Sequence, residues 1–205
     1  MEKDKQKTHQ KILQVAKEEF LAKGYEKASL RKIGQRVGIS ATAIYRHFKD
    51  KEELFSALVE PDFYGMLLTH AKHDDEVLEF LGSQNPSDLW RLSEFEFMET
   101  LEYVYERYDS FKLLLCCAEG TRLHNFQHEL VDKQVKSLLD MCQEAKTHGI
   151  TVNPVGEAEL HLIMTGFFSS IFEMVIHDYS KEEAMRCGRA LAKYFNSGIS
   201  TVLGF

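Results

Sequence analysis

The stretch Gly38–Leu54, GISATAIYRHFKDKEEL, decides how this chain reads. Within seven positions it gathers Tyr45, Arg46, His47, Lys49 and Lys51, in a protein of 205 residues whose formal net charge is −7. Basic and aromatic side chains bunched behind a glycine turn are an uncommon use of charge in an acidic chain. The imbalance extends outward from there. Residues 1–53 carry 13 Lys and Arg against 8 Asp and Glu, whereas residues 54–205 carry 12 against 24. A net +5 segment ahead of a net −12 segment suits a nucleic-acid-facing head on an acidic body, although a charge run is also what any solvated face presents.

The local pattern around this stretch predicts short helices. Thr8 is placed to cap a first helix, with Ile12, Val15, Ala16 and Phe20 along one face and Gly24 ending it. Ser29 caps a second, whose inward residues are Leu30, Ile33 and Val37; Gly34 on the same helix allows a neighbour to approach closely. Gly38 stops that helix, and Ser40 caps a third running from Ala41 to about His47, with Ile44 and Phe48 facing the core. Asp50 caps a fourth, over about 51–60, which Pro61 ends. Two short helices joined by a glycine-containing turn form a helix-turn-helix, whose second helix presents its N-terminal residues to base edges in a major groove. Thr42 offers a hydroxyl and a methyl to a base edge and Ala43 only a methyl. Tyr45, His47 and Lys51 suit phosphate oxygens, and Ser29 with Arg31 suits the flanking strand.

Ile12–Phe55, ILQVAKEEFLAKGYEKASLRKIGQRVGISATAIYRHFKDKEELF, resembles the TetR/AcrR family of bacterial transcriptional regulators. The carriers are FLAKGY, SLRKIG, VGIS and IYRHFKDKEEL, about a quarter of the chain. The resemblance implies a homodimer on double-stranded operator DNA, with a small-molecule effector in the helical body. It also implies that Ser29, Arg31, Ser40, Ala41, Thr42, Tyr45, Arg46, His47 and Lys51 occupy operator-contacting positions. Ala41 stands where many members carry Lys or Arg, and Thr42 where glycine is common, so guanine readout by a long basic side chain at Ala41 is lost.

The expected fold is all-α: an N-terminal three-helix DNA-binding domain (1–55) and a helical ligand-binding and dimerisation domain (56–205). The helical periods in the second fall at 62–82, 87–107, 110–118, 122–148, 156–178 and 181–203. LHLIMTGFFSSIFEMVI, from Leu160 to Ile176, is apolar almost all round and must be covered on every side. The resemblance assigns the last two helices to a dimer bundle, with Gly166, Ser169, Ser170 and Phe172 at its surface. Candidate effector-pocket residues are Trp90, Phe95, Phe97, Met98, Tyr103 and Phe111, with Leu115, Cys116, Phe126, Met141, Met164 and Phe168, although a stripe at helical spacing is more often plain core than a pocket wall.

His124 and His128 stand four apart, near Cys116, Cys117 and Glu119, but no second tight pair completes a tetrahedral set, so no metal is expected. Cys116 and Cys117, in an apolar LLLCCA run, are expected to be buried and inert. No cofactor is expected either. MEKDKQKTHQ has no apolar core to make it a signal peptide, no apolar run approaches a membrane span of about 20 residues, and the four cysteines form no CxxC pair, all of which points to the cytoplasm. GxSxG, GxxxxGK[ST] and HExxH are absent, so an enzyme is not expected.

Overall fold

The computed structural model describes the backbone of residues 2–81 and 89–204, and the side chains of residues 4–72 and 95–204. Every regular element among them is a helix: α1 (Glu2–Lys27), α2 (Leu30–Val37), α3 (Ala41–Ile44), α4 (Lys51–Leu81), α5 (Leu89–Glu106), α6 (Tyr108–Cys117), α7 (Phe126–Thr147), α8 (Glu157–Ile176) and α9 (Lys181–Leu203). The chain is all-α, with an N-terminal helix-turn-helix.

Three elements depart from their expected bounds. α1 begins at Glu2, so Thr8 does not cap it; its hydroxyl donates to the Asp4 carbonyl at 2.9 Å, a bond made inside a helix. Gly24, at φ 73°, ψ 165°, breaks the helical path before a last turn to Lys27. α3 is a single turn. Beyond it, Arg46 N–H donates to the Ala43 carbonyl (3.2 Å) and His47 N–H to the Ile44 carbonyl (2.8 Å), a tighter three-residue spacing. α4 runs through Pro61 instead of ending there. A proline removes one hydrogen bond of the ladder, and Val59, Phe63 and Met66 remain buried at helical spacing on either side of it.

The other three caps fall where expected. Ser29 Oγ accepts from Lys32 N–H (3.5 Å) and Ser40 Oγ from Ala43 N–H (3.1 Å). Asp50 Oδ1 accepts from Glu53 N–H (2.8 Å), and the Glu53 carboxylate accepts from Lys49 N–H in return. Gly38, at φ 87°, closes α2, its N–H reaching the Gly34 and Gln35 carbonyls. Gly34 is where α2 meets the turn: a Cβ there would lie 2.8 Å from the Ile39 carbonyl oxygen and 3.2 Å from Ala41 N.

Contacts divide the chain into two compact units, residues 1–64 with 107–124, and residues 65–106 with 125–205. The first is built on buried Ile12, Ala16, Phe20, Ile33, Ile44, Phe48, Leu54 and Phe55, with Phe20 edge-on to Phe55 at 5.2 Å. Residues 107–124 are tied to it by polar contacts. Lys17 Nζ meets Asp109 at 2.6 Å, Ser110 Oγ donates to the Leu58 carbonyl at 3.0 Å, and Arg122 N–H donates to Glu52 at 2.8 Å while its guanidinium pairs with Glu60.

In the second unit α5 packs on α9 and α7 on α8. Phe97 lies between Phe167 (4.9 Å, edge-on) and Phe195 (5.8 Å, stacked), and Phe172 sits between Phe126 and Phe168. By length and composition alone α8 is apolar enough to cross a membrane, so the expectation that no run comes near that length does not hold. Its Phe167, Phe168, Ile171, Phe172 and Val175 are buried in the packing of this unit, which accounts for the composition.

Gly34→Ala is expected to lower stability by about 1–3 kcal/mol despite alanine's better helix propensity, because the clash is with backbone that has nowhere to move. Urea unfolding of the two proteins checks this; an unchanged or raised midpoint would contradict the close approach.

Candidate nucleic-acid interface

The recognition turn is held from beneath by Ile44 and Phe48, both buried, which leaves Thr42, Tyr45 and Arg46 exposed; 54% of Tyr45 is accessible. Ala41 and Ala43 are half-buried at the base of the turn. Ser40 lies at its start and Ser29 at the start of α2, each with its hydroxyl accepting a cap bond, and Arg31 is exposed in the first turn of α2.

Lys51 and His47 are also engaged within the protein. Lys51 Nζ donates to the Glu26 carbonyl at 3.0 Å and lies 4.6 Å over the Tyr25 ring; burial holds its pKa below the ordinary lysine value, against the pull of Glu26. His47 is half-buried, its ring 5.8 Å from that of His9, which stacks on Phe48 at 4.6 Å. Burial lowers the His47 pKa, and the nearby His9 and Lys5 lower it further. Sequence reasoning missed Lys5 because it started the first helix at Thr8, and His9 because its ring contacts with His47 and Phe48 are made across the fold. It also missed Lys11, whose Nζ donates to the Val37 carbonyl at 2.9 Å and so secures the end of α2.

Residues 12–58 match the family of bacterial regulatory proteins described as tetR. The fold is shared with PfmR from Thermus thermophilus, a TetR family regulator (TM-score 0.60, 21% identity, 91% of this chain and 97% of that one). It is shared also with a TetR-family regulator from Syntrophomonas wolfei (TM-score 0.62, 18% identity, 94% and 96%). Residues 12–58 thus resemble the N-terminal segment of that family, and the described chain shares the fold of its solved members. An HTH-type transcriptional regulator of Staphylococcus aureus is 29% identical over 121 residues, so the match spans 58% of this chain and 58% of that relative's length, less than two thirds of it. FadR from Bacillus subtilis, solved in complex with stearoyl-CoA, has the same fold (TM-score 0.57, 15% identity, 92% and 98%). What these likenesses share with this chain is a helix-turn-helix segment ahead of a helical body.

The candidate effector residues are divided between the two units. Phe111, Leu115 and Cys116 belong to the first unit and Phe95, Phe97, Met98, Tyr103, Phe126, Met141, Met164 and Phe168 to the second, while the Trp90 side chain lies outside those described. Phe97, Phe111, Phe126 and Phe168 are fully buried core and Phe95 is 58% exposed. A cleft of about 440 Å³ in the first unit takes only Cys116 from that set, together with Tyr25, Lys23, Lys27, Lys112 and Glu119 among others. The second unit holds a buried polar cluster that sequence reasoning did not find. His70 Nδ1 lies 2.8 Å from Glu96 Oε1 and 3.0 Å from Gln134 Nε2, and His70 Nε2 lies 3.3 Å from Thr100 Oγ1. Its sequence signal was a histidine interrupting the apolar FYGMLLTHA run.

Phe172 is 1% exposed, packed against Phe126 and Phe168, and is not a surface residue; Gly166 is exposed, Ser169 and Ser170 are half-buried, and Leu162 on α8 and Tyr194 on α9 are 72% and 70% exposed. His124 precedes α7, so it shares no helix face with His128, and both are exposed. Cys116 is exposed rather than buried, because it falls on the outer side of the last turn of α6; Cys117, beside it, is buried, and burial raises its thiol pKa as it does that of Cys142. Titration of the native protein with an aromatic disulfide reagent at pH 8 should therefore show a fast phase removed by Cys116→Ser, with Cys117 and Cys142 reacting only in denaturant. A fast phase that survives Cys116→Ser would contradict this assignment.

Proposed function

We propose that this regulator is a ligand-responsive repressor that binds a palindromic operator as a homodimer and is released by a small molecule held in its helical body. The observation that carries the reading is the capped one-turn α3 seated on Gly34, which projects Thr42, Tyr45 and Arg46 into solvent from a rigid base. In this reading Thr42 with Ala41 and Ala43 meets base edges, while Tyr45, Arg46, His47, Lys51, Ser29, Ser40 and Arg31 position the phosphate backbone. The DNA-binding head is residues 1–55, joined through about 51–60 to a ligand-binding and dimerising body of 56–205. Lys51 reaches a phosphate by exchanging the Glu26 carbonyl for a full negative charge, a stronger hydrogen bond.

The stearoyl-CoA of the Bacillus subtilis FadR supports an effector site in the body here as well. The effector acts by binding the off-DNA arrangement more tightly, and that difference in affinity is the coupling. The α8–α9 surface of exposed Leu162, Gly166 and Tyr194, with half-buried Ser169, supports the dimer, whose dyad matches half-sites about 34–36 Å apart. A regulator that works on chromosomal DNA resides in the cytoplasm. It needs no enzymatic activity and no cofactor.

Selection of duplexes from a randomised pool tests this reading. The wild type is expected to enrich a palindrome, and Tyr45→Ala/Lys51→Ala to enrich nothing; enrichment by neither, with and without cell extract as an effector source, would sink it. Leu162→Glu is expected to shift the protein from dimer to monomer in sedimentation velocity and to weaken operator binding by at least about tenfold, the effect of roughly 1.4 kcal/mol. A variant that stays dimeric would move the interface elsewhere.

A further inference from the structure

We propose that Lys5 and His9, on the first turns of α1, join His47 as a second phosphate-binding limb of the DNA interface, gripping the duplex backbone beside the recognition turn. The inference rests on the DNA-binding reading above and adds an element that none of the sequence-selected contacts includes.

Three observations carry it. First, α1 starts at Glu2, so Lys5 and His9 are set one helical turn apart on one face rather than in a tail. Second, His9 is fastened to the recognition turn: its ring stacks on Phe48 at 4.6 Å with the planes 23° apart, and lies 5.8 Å from the His47 ring. Third, the cluster concentrates like charge. His9 and Lys5 both disfavour a proton on His47, and burial does so more strongly. Three cation-capable groups in one patch oppose one another in the free protein, and an anion relieves that opposition.

Other charged groups lie along the neighbouring chain. Arg46 and Lys49 add positive charge. Asp50 and Glu53 accept the backbone N–H groups of Glu53 and Lys49 at the start of α4. On α1, Asp4 follows the helix with its carbonyl accepting from Thr8, and Lys11 is turned to the Val37 carbonyl. A DNA phosphate is dense, fixed negative charge, and the rest of the recognition surface brings it to this edge.

The sign of the pH effect follows. Unbound, His47 titrates below the ordinary histidine value of about 6.5; beside a phosphate its protonated form is favoured and its pKa rises. Binding therefore takes up protons, and affinity rises as pH falls through the interval between the two values.

The test uses the full chain and a labelled duplex enriched by the wild type from a random pool, with affinity measured over a salt series at pH 6 and pH 8. His9→Phe keeps a ring on Phe48 and removes the imidazole nitrogens; Lys5→Gln is a surface change. Each is expected to lower the slope of log affinity against log salt by about one at pH 6 and to weaken binding there by about tenfold. His47→Gln should flatten the gain in affinity between pH 8 and pH 6. Thermal unfolding of each variant shows whether a loss comes from the fold instead. Variants that track the wild type at every salt concentration and both pH values, while Tyr45→Ala/Lys51→Ala loses binding, would overturn the second limb and leave the DNA-binding reading standing. A wild type that enriches no duplex would overturn both.

Discussion

The carbonyl oxygen of Ile39 lies where the side chain of residue 34 would be, and Gly34 permits it by having none. The Gly38 N–H and the Ile39 N–H both turn back onto the Gly34 carbonyl, so this one residue accepts the reversal of the chain and also gives it room. The angle between α2 and the recognition turn depends on that contact, since buried Ile33, Val37 and Ile44 can interlock only at the spacing it sets. A one-turn helix has almost no stability of its own, because nucleation costs more than a single hydrogen bond returns. α3 therefore exists by virtue of its Ser40 cap, the buried Ile44 and Phe48 beneath it, and the glycine that lets it sit close.

Charge in the first unit is arranged around backbone carbonyls. Lys51 holds the Glu26 carbonyl and Lys11 the Val37 carbonyl, each at or near a helix end where carbonyls lack a partner within the helix. Such bonds fix where a cation waits without neutralising it, so the positive potential of the head survives folding. By contrast, the cations facing α6 and the loop after it are paired with carboxylates: Lys17 with Asp109, and Arg122 with Glu60. The head thus keeps its available positive charge toward the recognition turn and neutralises it along residues 107–124.

The second unit follows a different rule. Its aromatic residues stack with one another, Phe97 with Phe167 and Phe195, and Phe126 with Phe172 and Phe168, which explains why a list of aromatic positions did not single out a ligand site. An aromatic side chain at helical spacing has the same appearance in sequence whether it fills a core or lines a cavity. The feature that stands apart is polar: His70, Thr100 and Gln134 are buried together, and a buried polar group is retained only where its hydrogen bonds are met.

The sequence by itself determined the elements whose causes are local. Ser29, Ser40 and Asp50 cap the helices they precede, Gly38 ends α2, and the spacing of Ile12, Phe20, Ile33 and Ile44 sets the inward faces, because each depends on residues within a turn or two. Only the tertiary structure decided the rest. Whether Pro61 ends a helix depends on what is packed beside it, and whether Phe172 faces outward depends on Phe126, far away in the chain. Lys51 meets Glu26, His9 meets Phe48, and His70 meets Gln134 across separations of 25 to 64 residues, which no local pattern encodes. Caps and periodicity act through neighbours in sequence, whereas burial and pairing act through neighbours in space, and those exist only once the chain has folded.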